Sequence, residues 1–509
     1  MPHGKLVRDS VGFVVTQYVV RVALMLRGLI ALRLMTPYSY GAWNALSLIL
    51  DYGALAPLST QPGLDQAVPG RIVSGPPAAL DRLKRAGLFN IVLLTGLFAV
   101  ASVGYLSRHQ SQFHTYWGTR GLLLAVATVA LINLSNYHLT LLRSHGRIGT
   151  VSMWFVLQAG VGTVIGLGLI PWLDAWGLLA GWLAGTALGV TYVRAQGRGL
   201  VPIVPRASDD CGQLLRVGLP MYLYTASSTV MRSLDRIVIL RFLGTMKLGY
   251  YSLSVMVLGL LLYLPDSVSY ELYPHFLRRY HSAGDDPAAI RGTAVRSLQL
   301  LAVVMPGLCG LLFLVARDGA ALLLPHYLPG IRAARIMCFA AGAIALANVS
   351  SVVLMTLGRS RWLVTVAGIV TVLGAGADYT VVRLGYDISG VAWATLGIFT
   401  LAGLLMPWLA LTGLGFATGE RLAWLGRLMA PLALSLALSF SIDHLLPWAR
   451  VPGAGVRIAR MAMTTLTFGA VFTLGCLPFV RSLGLRQLLG ELDLRLPFLG
   501  GRPPGRPDA

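Results

Sequence analysis

Acidic residues are scarce in this chain: 20 aspartates and glutamates face 41 lysines and arginines, and only 12% of the 509 residues are charged. Lysine itself occurs only at Lys5, Lys84 and Lys247, so the basic side chains are nearly all arginine. So little charge cannot clothe a water-soluble protein of this length, which would also divide into several domains joined by polar linkers. Such linkers are missing. Cys211, Cys309, Cys338 and Cys476 have neither metal nor disulfide spacing and read as packing residues. No G-x-x-x-x-G-K-[ST] stretch is present, which excludes a P-loop, and no His/Cys/Asp cluster has metal-ligand spacing, so no cofactor is implied.

Hydrophobicity fills the space that charge leaves. Hydrophobic residues make up 56% of the chain and the mean hydropathy is +0.70. Apolar runs about 20 residues long recur from end to end, each able to cross a bilayer core of about 30 Å. They are continuous rather than alternating, which excludes a transmembrane barrel. The fold class is all-α and polytopic in a membrane. The first run, beginning near Val11, is long and contains arginines, unlike a cleavable signal peptide.

Fourteen spans are predicted, near 11–34, 39–60, 87–106, 120–142, 149–170, 175–194, 214–242, 247–265, 294–315, 332–356, 362–383, 389–412, 425–446 and 458–480. An even number puts both termini on one side. That side holds Arg71, Arg82, Lys84, Arg85, Arg143, Arg147, Arg194, Arg198, Arg278 and Arg279. The other holds mainly Arg108, Lys247, Arg317, Arg332, Arg383 and Arg450. The positive-inside bias therefore places both termini in the cytoplasm. Inner loops are expected at about 61–86, 195–213 and 266–293, with a tail beyond Arg481. The basic residues lie in short loops rather than in one patch, which argues against nucleic acid as a partner.

The chain repeats itself. Residues 31–50 lie over 239–258 without a gap, matching Leu32-Arg33 to Gly41 with Leu240-Arg241 to Gly249. Residues 133–142 lie over 348–357, sharing Asn133/Asn348 and Ser135/Ser350, each followed by a Gly-Arg pair, Gly146-Arg147 and Gly358-Arg359. Asp174-x-x-Gly177 repeats as Asp387-x-x-Gly390. The offsets are 208, 215 and 213 residues, or six spans. Six is even, so the halves share one topology about an axis along the membrane normal. The expected division is a first lobe over 1–198, a second over 199–415, two added spans over 416–481 and a cytoplasmic tail over 482–509.

This 6 + 6 + 2 layout resembles the multidrug/oligosaccharidyl-lipid/polysaccharide exporter superfamily and, within it, the Wzx-type polysaccharide flippases. The residues that carry the resemblance are Arg33 with Gly41-Ala42-Trp43, Asp235-Arg236 with Leu243-Gly244 and Leu248-Gly249-Tyr250-Tyr251, and Tyr273-Pro274 with Arg278 before Gly284-Asp285. The resemblance implies a multi-pass flippase of the bacterial inner membrane. It would export a lipid-linked, undecaprenyl-type oligosaccharide for surface polysaccharide such as lipopolysaccharide. Other readings are a peptidoglycan-precursor flippase, a cation-coupled drug exporter or, in another class, a membrane polymerase or ligase. The last lacks an outer catalytic loop, so a transporter rather than an enzyme is expected.

Ionisable residues within spans mark the candidate site, because each costs about 2.5–3.5 kcal/mol at mid-bilayer. On span one Gln17, Arg21 and Arg27 share a sector of about 120°, while Arg33 points elsewhere. On span seven Arg232, Asp235 and Arg236 fall on one face, and Asp235 is the repeat counterpart of Arg27. Asp235 can serve as counter-ion to Arg232 or Arg236, and Asp51 to Arg21 or Arg27. Arg21, Arg27, Arg232 and Arg236, with Gln17 and Asn44, are the expected contacts of an anionic lipid diphosphate, since guanidinium pairs bidentately with phosphate. Asp378, Asp51 and Asp235 are the expected carriers of a coupling proton or other cation. Two lobes already enclose a path, so a monomer is expected, with membrane lipids and the lipid-linked cargo as partners.

Overall fold

The computed structural model describes residues 3–108, 119–445 and 453–482. Arg450 and the tail beyond residue 482 lie outside the described residues. Among the described residues sixteen α-helices follow one another: α1 (His3–Leu34), α2 (Pro37–Gly53), α3 (Thr60–Ser74), α4 (Pro77–Arg108), α5 (Thr119–Ser144), α6 (Ile148–Leu173), α7 (Ala175–Gln196), α8 (Asp210–Met231), α9 (Leu234–Val238), α10 (Thr245–Ser282), α11 (Ala288–Leu323), α12 (Ile331–Thr356), α13 (Ser360–Arg383), α14 (Ile388–Gly413), α15 (Thr418–Leu445) and α16 (Ala454–Ser482). A π-helical turn, Ile239–Leu243, continues α9, and a 3₁₀ turn, Pro325–Gly330, leads into α12. There is no strand among the described residues.

Among the described residues, eleven helical stretches are long and apolar enough to cross a membrane. Of the other three predicted spans, span one is the continuous helix α1, which runs unbroken through Arg21, Arg27 and Arg33, and the other two are broken for local reasons. Span two is cut at 54–59, where Pro57 offers no backbone donor and Leu58 takes φ +51°, and it resumes as α3. Span seven is cut at Arg232–Ser233 between α8 and α9. Two of the expected inner loops prove to be mostly helix. Residues 60–74 form α3, and α10 runs on to Ser282. A helix does not end where its apolar run ends, because polar residues continue the backbone ladder into water; it ends where a cap intervenes. After α10 that cap is Gly284 at φ +70°.

The repeat is visible in the backbone. Behind Gly146 (φ +73°) the Arg147 amide donates to the Leu142 carbonyl at 2.9 Å, and behind Gly358 (φ +67°) the Arg359 amide donates to Leu354 at 2.9 Å. Both Gly-Arg pairs are therefore the same helix stop, with glycine at the left-handed position. The Gly177 amide donates to the Asp174 carbonyl at 2.9 Å and that of Gly390 to Asp387 at 2.7 Å. The Ser39 hydroxyl donates to Asp174, and its counterpart Lys247 donates to Asp387 at 2.6 Å. One contact is thus kept with changed chemistry.

Residues exchanged by the 208-residue offset also meet each other. The Asn44 amide donates to the Ser252 hydroxyl. A methyl group on Gly41 would stand 2.1 Å from the Thr245 carbonyl oxygen, and one on Gly249 would stand 1.7 Å from that of Pro37, the counterpart of Thr245. Such reciprocal contacts arise where a two-fold axis passes, here between α2 and the start of α10. Glycine is required there because the helix backbones touch. At the other end of span two α3 meets α8 the same way. A methyl on Gly218 would lie 2.0 Å from the Ser59 carbonyl oxygen, and Arg71 pairs with Asp210 at 3.1 Å.

By contacts the chain forms two compact units. The first comprises Met1–Leu260, Ala316–Met337 and Leu363–Ile398, and contains all the contacts just described between α2, α3, α8 and α10. Its core is held by a few buried polar groups. The Asn133 amide on α5 donates to the Gly53 carbonyl (3.0 Å) at the break in span two and to Thr95 (3.1 Å). The Tyr137 hydroxyl donates to the Lys84 carbonyl at 2.8 Å, and Lys84 Nζ to that of Leu200 at 2.9 Å. The second unit comprises Leu261–Val315, Cys338–Trp362 and Phe399–Ala509. There Asn348, counterpart of Asn133, donates to Asp266 at 2.7 Å, and Ser435 on α15 donates to the Pro306 carbonyl on α11 at 2.6 Å.

Candidate functional site

All the sequence-selected ionisable residues fall in the first unit. On α1 the Arg27 guanidinium lies over two indoles, 5.0 Å from the ring centre of Trp182 on α7 and 6.0 Å from that of Trp43 on α2. Stacking engages the face of the guanidinium and orients its fork of donors. Arg21 is half-buried on the same helix, and Arg33 is exposed. Gln17 Nε2 is buried with no hydrogen-bond partner among the described residues. Asn44 is committed to Ser252. It closes the contact on the repeat axis, whatever else it touches.

The expected pairings on span seven are rearranged. Arg236 turns to α2, where Nη2 meets Asp51 Oδ2 at 3.2 Å and Nη1 lies 3.5 Å from Ser47 Oγ. Its side chain is only 11% exposed, against 45% for Asp51. Asp51 therefore neutralises Arg236, not Arg21 or Arg27. Asp235 forms no ion pair with Arg236, because the break at Ser233 restarts the helix and adjacent residues point about 100° apart. Asp235 accepts from the Tyr251 hydroxyl at 2.6 Å and from the Arg236 backbone amide at 2.7 Å. Arg232 is half-buried where α8 stops.

Asp378, on α13, is 3% exposed, and its Oδ1 has no hydrogen-bond partner among the described residues. It lies close enough to Asp235 for the two carboxylates to interact, with Thr395 beside it and beside Tyr251. Two buried acids, a phenol and a hydroxyl thus converge, with the Arg236 backbone amide on Asp235.

These two clusters occupy the same place in the two halves of the repeat. The 208-residue offset carries Arg27 to Asp235 and Trp43 to Tyr251, and the 213-residue offset carries Trp182 to Thr395. Where the first half stacks a fixed cation between indoles, the second sets an acid against a phenol and adds Asp378. The first cluster carries a guanidinium, and the second carries the two buried carboxyl groups of Asp235 and Asp378. Among the described residues no group of three or more histidines, cysteines or acids is arranged for a metal ion.

Residues 30–324, more than half of the chain, match the family model described as polysaccharide biosynthesis protein. The chain belongs to that family. No curated protein sequence matches it. Its fold is shared with solved membrane transporters. A lipid II flippase, MurJ, in an inward closed conformation superposes with a TM-score of 0.66 at 13% identity, covering 92% of this chain and 100% of that one. An inward-facing multidrug resistance MATE transporter of the MOP superfamily gives 0.58 at 15% identity, covering 79% and 95%. A mutant of the Vibrio cholerae MATE transporter VcmN gives 0.58 at 11% identity, covering 81% and 96%. At these identities the likeness is one of fold.

The matched family segment begins just past Arg27 and includes Trp43, Asp51, Trp182, Arg236 and Tyr251. Sequence reasoning missed Trp43 and Trp182 as partners of Arg27, Tyr251 as partner of Asp235, and Thr395. The available signal was the repeat itself. The offsets carry Trp43 to Tyr251 and Trp182 to Thr395, so the partners of either charge point to those of the other.

Proposed function

We propose that this protein flips an anionic, lipid-diphosphate-linked oligosaccharide from the inner to the outer leaflet of the cytoplasmic membrane by alternating access, both termini being cytoplasmic. The observation that carries this reading is the placement of guanidinium groups inside a transporter fold of a polysaccharide biosynthesis family. Arg27 is held by two indoles, and Arg236 bridges from span seven to Asp51 on span two. A diphosphate cannot enter hydrocarbon bare, and oriented guanidinium forks replace its water. In this reading Arg21, Arg27, Arg232 and Arg236 line the phosphate path, with Gln17 beside them. Cargo phosphate competes with Asp51 for Arg236, which makes that pair a switch rather than a fixed strut.

Coupling falls to the acidic cluster. Asp378 and Asp235 take up a proton or a small cation on one side and release it on the other, and Asp51 responds when Arg236 changes partner. A charge moved through the full potential gains about 2.3 kcal/mol per 100 mV, enough to drive cargo without a nucleotide. The repeat supplies both halves of the path, so a monomer suffices. A peptidoglycan-precursor cargo is the second reading, favoured by the full-length fold match to a lipid II flippase.

The test is glycan export in cells lacking the native protein. Arg27→Glu and Arg236→Ala should each reduce export about ten- to 150-fold, the loss of a charged hydrogen bond worth about 1.5–3 kcal/mol, at unchanged membrane abundance. Arg108→Ala, at the far end of α4, should export normally. Normal export by Arg27→Glu would end the cationic-path reading.

A further inference from the structure

A cavity of about 750 Å³ opens in the first unit between α2, α4, α5, the π turn and the start of α10. It lies toward the end of the bundle that carries the α1–α2 connection, the end opposite α3. Its walls are mostly apolar, Leu46, Ile49, Phe98, Ala101 and Ile237 among them. Within them stands one charged side chain, Arg241. Arg241 belongs to the π turn, where the Gly244 amide reaches back five residues to the Ile239 carbonyl at 2.9 Å. Such widened turns are rare and recur at functional sites. Arg241 is exposed, and among the described residues no carboxylate pairs with it. Tyr52 on α2, Ser102 and Tyr105 on α4 and Thr245 on α10 supply the remaining hydrogen-bonding side chains of the lining.

We propose that this cavity is a binding site for an anionic phospholipid of the surrounding bilayer, one acyl chain in the cavity and its phosphate on Arg241. The volume falls within the range of about 300–1,000 Å³ typical of ligand pockets. In a membrane an apolar cavity of that size takes in a lipid chain, and basic pockets between transmembrane helices select acidic headgroups. The charge is complementary and unopposed. The space suits a single acyl chain, whereas a long polyisoprenyl chain would overrun it, which favours bilayer phospholipid over cargo. The site is built from both halves of the repeat and adjoins the contact of Gly41 with Thr245, which itself lines the cavity. A lipid seated there braces the arrangement in which α2 touches α10. This site is independent of which cargo the protein carries.

The experiment is native mass spectrometry of the full-length protein titrated with phosphatidylglycerol or phosphatidylcholine of identical chains. Wild type should bind phosphatidylglycerol about fivefold more tightly, the preference expected of one interfacial arginine. Arg241→Gln should erase the preference but keep the weaker binding. Ala101→Trp, which fills the cavity from an exposed position on α4, should reduce binding of both lipids. Arg108→Gln, at the same end of α4 but outside the lining, should bind like wild type. Equal binding of the two lipids by wild type, or a preference that survives Arg241→Gln, would overturn the proposal. So would displacement of phosphatidylglycerol by an equal concentration of polyisoprenyl phosphate, which would make the cargo the occupant. Because the readout is lipid binding, failure here leaves the export reading standing, and failure of export leaves this one.

Discussion

The contact on the repeat axis can be broken by a single methyl group. In Gly249→Ala the new carbon would stand 1.7 Å from the Pro37 carbonyl oxygen, where side-chain carbons essentially never approach within 3.0 Å. The obstacle is backbone, so no rotamer relieves it; α2 and α10 must part. Overpacking of this kind costs about 1–3 kcal/mol, and the gain in helix propensity on replacing glycine returns about 0.5–1. A net loss of about 1–2 kcal/mol lowers occupancy of the closed contact roughly 5- to 30-fold. The assay is disulfide formation between Asn44→Cys and Ser252→Cys, the counterpart pair that touches on the axis, in a background without the four native cysteines. The crosslink should form readily with Gly249 intact and fall in proportion with Gly249→Ala. Gly96→Ala is the control, since a methyl there meets nothing within 4 Å. An undiminished crosslink in Gly249→Ala would refute the idea that backbone contact at the axis holds these helices together.

Three other outcomes follow from the same geometry. In a double-mutant cycle of Arg236→Gln and Asp51→Asn, the coupling measured by thermal unfolding should be about 1–2 kcal/mol. That is less than for a fully buried pair because Asp51 is half exposed; additivity would mean the two do not pair. Tyr251→Phe removes the donor to Asp235 and should shift the pH dependence of transport, whereas Tyr250→Phe, whose hydroxyl has no part in the cluster, should leave it in place. Lys247→Ala should change stability by less than about 1 kcal/mol, since Lys247 and Asp387 are 41% and 51% exposed.

Much of this architecture is legible in the chain because bilayer thickness writes itself into the apolar runs. The Gly-Arg pairs and the Asp-x-x-Gly pairs are legible for a different reason: each encodes a local backbone device, a left-handed helix stop or a tight turn between helices, that needs only neighbouring residues. What hydropathy cannot show is where a helix continues in water, so α3 and the last four turns of α10 read as loop. Nor can it show a π turn, since Ile239–Leu243 is as apolar as an α-helical stretch, and Arg241 went unselected. Partnerships were the least legible. Asp51 lies nearer in sequence to Arg21 and Arg27 than to Arg236, and the break at Ser233 that turns Arg236 toward it leaves no compositional trace. Where the pairing obeyed the repeat offset, as in Asn44 with Ser252, the information was present and needed only a reason to place the axis there.

Whether this protein moves the proposed lipid-linked anionic glycan across a bilayer is decided by reconstitution. Purified protein is placed in liposomes containing a fluorescently tagged polyisoprenyl-diphosphate oligosaccharide, and the fraction of headgroups that a membrane-impermeant quencher can reach is followed over time under an imposed pH gradient or voltage. Wild type should redistribute the label faster than protein-free liposomes, a gradient should accelerate it, and Asp378→Asn should lose the acceleration. Redistribution no faster than in protein-free liposomes, with folded protein present, would contradict the proposed function.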